Sequence, residues 1–385
     1  MKFRCTSNSN QSARSHSGGR AFLLTGLLAT AAFSALPARA ATLEQKWQAG
    51  QKLSYDMALD GNLGLNFDAT APFLWAGLPL DIKLNGSGEI ALDTRAVDES
   101  GSGTVAVLVP RLKMNGSTWG QNAQLELNDG RPVFSLNGQV MGGGANAAAA
   151  AGAGGAVATF LTQPDYGLRI SRQGRVESIV ALKAKPAVAE ADPKKSALPI
   201  NVEGLLRSVI VQVLPTFWPA RDVQMGETWS SPSRLPIPTN KAADTPGPAF
   251  QLIDLGKFDF TLAGEEEAEG RKTFRVAVLG NLDVDKARAG QINDAVGGKA
   301  NGNKLTSASQ KVTGDLWFDA TAGQLVRANL KLNTQLAGVG VTPAKDGKGK
   351  AQTWGNGQSF NGTLKLQLRK VSYASALATD APATP

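Results

Sequence analysis

Cysteine and histidine are almost absent from this 385-residue chain: it holds one of each, Cys5 and His16. Both precede residue 40, in a stretch with the make-up of an export leader. A chain cut after that stretch has neither residue. That excludes disulfides, thiolate nucleophiles and Cys/His metal sites. It also excludes Ser-His-Asp and Cys-His arrangements, a histidine general base and HExxH metalloprotease chemistry. Aromatics are sparse too, with 14 Phe, 7 Trp and 3 Tyr. Only one stretch holds a long apolar run. The 43 glycines and 19 prolines lack the strict period of collagen.

The one long apolar run spans Ala21 to Leu36, behind the basic residues Lys2, Arg4, Arg14 and Arg20. Pro37 and the small-x-small group Ala38-Arg39-Ala40 follow it. This is the layout of a signal peptide, with cleavage expected after Ala40. The run is short for a membrane span, and no lipobox cysteine follows it. An uncleaved N-terminal anchor is the alternative. The leader holds five of the forty basic residues and none of the thirty-two acidic ones. The exported chain therefore carries a net charge of +3, too small to leave the footprint of a nucleic-acid binder. The expected location is periplasmic or extracellular, soluble or peripheral, in a bacterial envelope.

Past the leader the dominant period is two. Leu53, Tyr55, Met57 and Leu59 share one face, with Asp56 and Asp60 on the other. Leu63/Leu65/Phe67, Val105/Val107/Val109, Phe258/Phe260/Leu262, Phe274/Val276/Val278 and Leu364/Leu366/Leu368 repeat the pattern. Such alternation belongs to antiparallel strands with one buried face. Turns are expected at Gly61-Asn62, Asn85-Gly86, Asn128-Asp129-Gly130, Gln173-Gly174, Glu269-Gly270 and Ala322-Gly323, where glycine permits positive φ.

One helix is expected at about 202–214. Val202, Leu205, Leu206, Val209, Ile210 and Val213 fall at helical spacing, Asn201 caps it and Pro215 ends it. The organisation read from the chain is a signal peptide at 1–40, a first β-rich region at 42–182 and a linker at 183–199. The helix and a second β-rich region follow at 200–375, then a disordered tail at 376–385. The segments 141–155, 287–310 and 338–358 are rich in glycine or polar residues and are expected outside the core.

Carboxylates are the remaining catalytic candidates, and none is nominated. Glu265, Glu266, Glu267 and Glu269 crowd a turn, the pattern of a solvated acidic loop. Asp283 and Asp285 lack the ligand series of a cation loop. No cofactor and no metal ligand is nominated either. The proline-flanked aromatics Phe73, Trp75, Phe217 and Trp218 are the candidate ligand-binding residues, because apolar side chains in irregular segments line pockets or plug the ends of β layers.

The segment Pro215-Thr-Phe-Trp-Pro-Ala-Arg-Asp-Val-Gln-Met-Gly-Glu-Thr-Trp229, with the acidic hairpin 264–272 and the hairpin Phe318 to Val326, resembles a pattern in uncharacterised exported bacterial β-rich proteins. The resemblance covers about 215–332 and implies no catalytic residue. More loosely, the architecture resembles the curved sheet of periplasmic lipoprotein carriers. The fold expected is mainly β: antiparallel curved sheets or half-barrels in two consecutive halves, with the helix covering an open face. A pair of β-sandwiches is the alternative. The function expected is non-enzymatic binding of an apolar or amphiphilic ligand in the envelope, with a lipid or another envelope protein as partner. Two other readings stay open: a cell-envelope scaffold or protein-interaction module, and a carboxylate-dependent glycan hydrolase.

Overall fold

The strands expected from the alternating pattern are present in the computed structural model, which describes residues 40–71, 77–128, 131–140, 166–182, 218–238, 250–295, 304–342 and 352–373. The expected helix at 202–214, the linker at 183–199, the tail at 376–385 and the leader up to residue 39 lie outside the described residues.

The strands are β1 (Gln51–Phe67), β2 (Leu80–Val97), β3 (Gly103–Thr118), β4 (Gln121–Asn128), β5 (Arg131–Leu136), β6 (Gln139–Val140), β7 (Tyr166–Ile170) and β8 (Val176–Ala181). The second half gives β9 (Thr228–Pro238), β10 (Phe250–Ala268), β11 (Arg271–Val284), β12 (Lys304–Asp319), β13 (Gln324–Thr342) and β14 (Gln352–Tyr373). All pair antiparallel in one open sheet, ordered β6-β5-β4-β3-β2-β1-β14-β13-β12-β11-β10-β9, with β7 and β8 added beside β3. The two halves read from the sequence are two wings of this sheet. Their seam is β1 against β14, from Gln51 opposite Tyr373 to Phe67 opposite Asn356.

Alternation gives the sheet an apolar inner face and a polar outer one. Leu53, Tyr55, Leu63, Leu65 and Phe67 of β1 are buried on the inner face, while Asp56, Asp60 and Asn66 are exposed on the other. Each fully buried side chain of this size contributes roughly 1.5–3 kcal/mol.

The sheet is curved, and a strap across its inner face at one end explains how. Trp47 lies against Gly103 of β3. One residue earlier, the Lys46 N–H donates to the Gly323 carbonyl in the β12–β13 turn, and Ala41 forms a bridge with Val223. The Gly226 N–H then donates to the Leu262 carbonyl of β10. A flat sheet would hold β3 and β13, the nearer strand of the β12–β13 turn, about 19 Å apart at normal strand spacing. Trp47 and Lys46 are adjacent, with Cα atoms about 3.8 Å apart, yet one meets β3 and the other the β12–β13 turn, so the wings fold toward each other here. Register shifts at Ser54/Tyr55, Thr94/Ala96, Leu262/Gly264 and Trp317/Phe318 lie near this end. Bulges raise local twist and bend strands, which suits the curl.

A short helix, α1 (Lys286–Ala295), packs beside β12. Asp285 is its N-cap, its carboxylate accepting the Arg288 N–H at 2.8 Å. Asn293 exchanges two hydrogen bonds of 2.8 Å with the Leu305 backbone. Ala289 is buried in the main core. This corrects the reading of 287–310 as wholly outside the core: part of it is α1 and the start of β12. Asn85-Gly86 and Gly61-Asn62 are also corrected. Neither is a turn; β2 and β1 run straight through them.

Candidate functional site

The inner face carries two separate buried clusters. The main one fills the strapped end and runs along the second wing, with Leu53, Tyr55, Ile90, Val105, Phe258, Phe318 and Leu366 among its members. The other, at the far end of β1, joins Leu63, Leu65, Phe67, Ala71, Leu80 and Trp354. Between them the same face continues as Met57 and Leu59 of β1, Leu84 of β2 and Met114 of β3. All four are apolar and only half-buried. Leu84 packs against both clusters.

The register shows how this stretch is shaped. Leu59, Gly86, Met114 and Leu125 form one cross-strand row, and Gly61, Leu84, Gly116 and Ala123 the next. From β1 to β3 large apolar side chains alternate with glycine in both rows, while Leu125 and Ala123 of β4 repeat the size of their β3 partners. The Phe360 ring covers Gly61, so Gly86 and Gly116 are the low positions and the large side chains beside them make walls. The result is an apolar, half-exposed stretch of the face across β1 to β4, termed the trough below. A Cβ on Gly86 would have Met114 Cγ at 3.5 Å and Leu59 Cβ at 3.6 Å, ordinary contacts.

The strapped end of this face is filled. Trp47 donates its indole N–H toward the Ser171 carbonyl at 3.4 Å. The Tyr55 hydroxyl donates to the Leu325 carbonyl at 3.1 Å. Burial pushes the Tyr55 phenol well above its ordinary pKa, only partly offset by the Arg271 charge.

Of the four residues nominated from the sequence, Phe73, Trp75 and Phe217 lie outside the described residues. Trp218 is 1% exposed, in the filled end. Its ring centroid stands 4.4 Å from that of Phe318. Its backbone N–H donates to the Gln173 carbonyl, and its indole N–H has no hydrogen-bond partner among the described residues. Met57, Leu59, Leu84, Gly86 and Met114 were not nominated. The first two carried a signal, an alternating strand in which apolar and acidic residues are cleanly segregated.

The carboxylates are occupied with structure. Glu266 accepts the Trp317 indole N–H at 2.9 Å and pairs with Arg275 at 3.2 Å. Glu265 pairs with Lys272, and Glu269 accepts from the Gln367 amide. Burial favours the neutral form of Glu89. Hydrogen bonds from Arg111 and Ser54 and the charges of Arg111 and Arg369 outweigh it and hold its carboxyl below the usual range. The far end of the outer face holds an open groove of about 520 Å³ with a mixed lining, Leu65, Pro79 and Leu336 as well as Asp81, Gln335 and Ser359 among others. Among the described residues no three His, Cys, Asp or Glu side chains are grouped to hold a metal ion. No helix among them is long and apolar enough to cross a membrane.

No family model and no curated protein matches the chain. A structure concerning lipid-protein interactions in lipovitellin aligns with 87% of this chain and 26% of its own, at 14% identity and a TM-score of 0.36. The chain thus spans about a quarter of that structure's length. CymD, a monoaromatic hydrocarbon channel, aligns over 84% of this chain and 89% of its own, at 8% identity and a TM-score of 0.12. Likenesses this faint carry no functional argument.

Proposed function

We propose that this chain is an exported, non-enzymatic envelope protein that holds an apolar or amphiphilic molecule in the inner trough. The observation that supports this is the break between the two buried clusters. Met57, Leu59, Leu84 and Met114 continue the apolar face, yet they stay half-open. Apolar surface left in contact with water is costly, at roughly 25 cal/mol per Å². An acyl chain or flat hydrocarbon laid along the trough would recover that free energy without any catalytic group. The low glycine floor suits an elongated occupant better than a bulky one.

Native mass spectrometry of protein purified from its own cell envelope tests the reading. The expected result is a bound species of lipid mass, released by organic solvent. A co-purifying protein subunit with no lipid would favour the scaffold reading instead.

A further inference from the structure

The far end of the first wing carries exposed apolar side chains where turn chemistry does not ask for them. Among the described residues, three two-residue hairpin turns have positive φ at their first position: Trp119 (46°), Asn137 (49°) and Glu269 (52°), each followed by glycine. This is the type I′ pattern, in which asparagine, aspartate or glycine belongs at the first position. Asn137-Gly138 obeys that rule. Trp119-Gly120, on the neighbouring hairpin, does not. A bulky residue in the left-handed region is strained by about 1 kcal/mol or more. Packing does not repay the strain, because Trp119 is 64% exposed.

The register places Trp119 among similar neighbours. The Asn137 N–H donates to the Asn122 carbonyl and the Asn137 side chain accepts the Asn122 N–H, so the two hairpin tips stand side by side. Val140 follows the second tip and is 67% exposed. Leu78, 51% exposed, leads into β2 at the same end of the sheet, where Lys83 stands opposite Ser117. The tips 117–122 and 135–140 contain no charged residue.

We infer that this rim docks the protein on a lipid bilayer, with Trp119 set at the headgroup boundary and Leu78 and Val140 beside it. Side chains on separate tips fall well short of the roughly 800 Å² per partner that a stable protein interface needs. A bilayer, by contrast, takes up single side chains independently. Tryptophan favours the boundary because it joins a large apolar ring to one N–H donor. Uncharged tips avoid the cost of pushing charge toward hydrocarbon. The inference does not depend on the trough being a ligand site, since docking needs no bound ligand.

Co-sedimentation of the full exported protein with phosphatidylcholine vesicles, and with phosphatidylcholine–phosphatidylglycerol vesicles, tests it. Trp119→Asn is the informative variant, because asparagine suits the turn and should leave the melting temperature unchanged or raised. Met225→Asn, an exposed apolar residue at the strapped end, is the control. The expected result is binding to both vesicle types, weakened about tenfold by Trp119→Asn and unaffected by Met225→Asn. No wild-type binding, or equal binding by Trp119→Asn, overturns the inference. So does binding that needs phosphatidylglycerol and ignores Trp119, which would place the contact on lysines. Self-association abolished by Trp119→Asn without vesicle binding would make the rim a protein interface and overturn it as well.

Discussion

The ring of Phe258 lies across Gly280, its cross-strand partner: a Cβ on Gly280 would stand 2.3 Å from Phe258 Cε1. The relationship recurs on the inner face. Trp354 lies across its partner Gly340, where a Cβ would meet Cζ2 at 2.1 Å. Phe360 covers the facing pair Gly61 and Gly362. In each case the glycine makes room for a ring to lie flat along the sheet, and the ring supplies the apolar cover that the glycine lacks.

Gly280→Ala should therefore destabilise the protein by about 2 kcal/mol in urea unfolding, since the methyl group collides with a buried ring. Adding Phe258→Leu should recover part of that loss, giving non-additive coupling of about 1 kcal/mol. A neutral Gly280→Ala, or strictly additive changes, would contradict the packing described.

Trp218 combines a fully buried ring with an indole N–H that has no partner among the described residues. Trp218→Phe keeps most of the packing with Phe318 and removes the unsatisfied donor, so its cost should stay below about 1.5 kcal/mol. Trp218→Ala empties the site and should cost about 3–5 kcal/mol. Equal costs for the two variants would show that the ring's volume is not what holds this end closed.

Acid stability follows from four carboxylates. Arg111 and Arg369 favour ionised Glu89 against the cost of burial. The Ser100 hydroxyl favours ionised Asp98, Arg221 does the same for Glu227, and the Ser230 hydroxyl for Asp259. All four titrate lower in the folded chain than in the unfolded one. The unfolded state therefore binds more protons as pH falls. Their contribution should be complete above about pH 5 and be lost progressively below about pH 4. Tyr55 acts in the opposite range. Its raised pKa gives a contribution present below about pH 10 and lost as pH rises beyond that. Melting temperatures across pH 3–11 would check both limbs; a chain that gains stability on acidification from pH 5 to 3 would contradict the first.

Much of the fold was legible in the sequence, because period-two segregation identifies strands and their buried face whatever their partners. The turns at Gly174, Gly270 and Gly323 were legible for a similar local reason, since each has positive φ. Gly61 and Gly86 misled because a glycine beside asparagine has the chemistry of a turn. Here the glycines serve cross-strand packing instead, and only the register reveals it. The pairing of β1 with β14 leaves no local trace, as nothing in Leu53 to Leu59 specifies Leu364 to Leu368 among many similar strands. The helix α1 was missed because KARAGQINDA presents only Ala289 and Ile292 to the core. For the site, tryptophan content drew attention to Trp218, which belongs to the filled end. The trough depends on alternating small and large residues across β1, β2 and β3, a pattern that runs perpendicular to the sequence.

The most direct test of the trough is Gly86→Val, read by two measurements on one protein. If the space between Leu59 and Met114 is open, valine should be tolerated, with a melting temperature within about 3 °C of wild type. Titration with a fluorescent fatty acid should show saturable binding to the delipidated wild-type protein, weakened about tenfold in Gly86→Val. Absence of saturable binding to the wild type, across fatty acids and phospholipids, would contradict the account. So would a Gly86→Val protein destabilised by more than about 2 kcal/mol, because that would show the trough to be filled core.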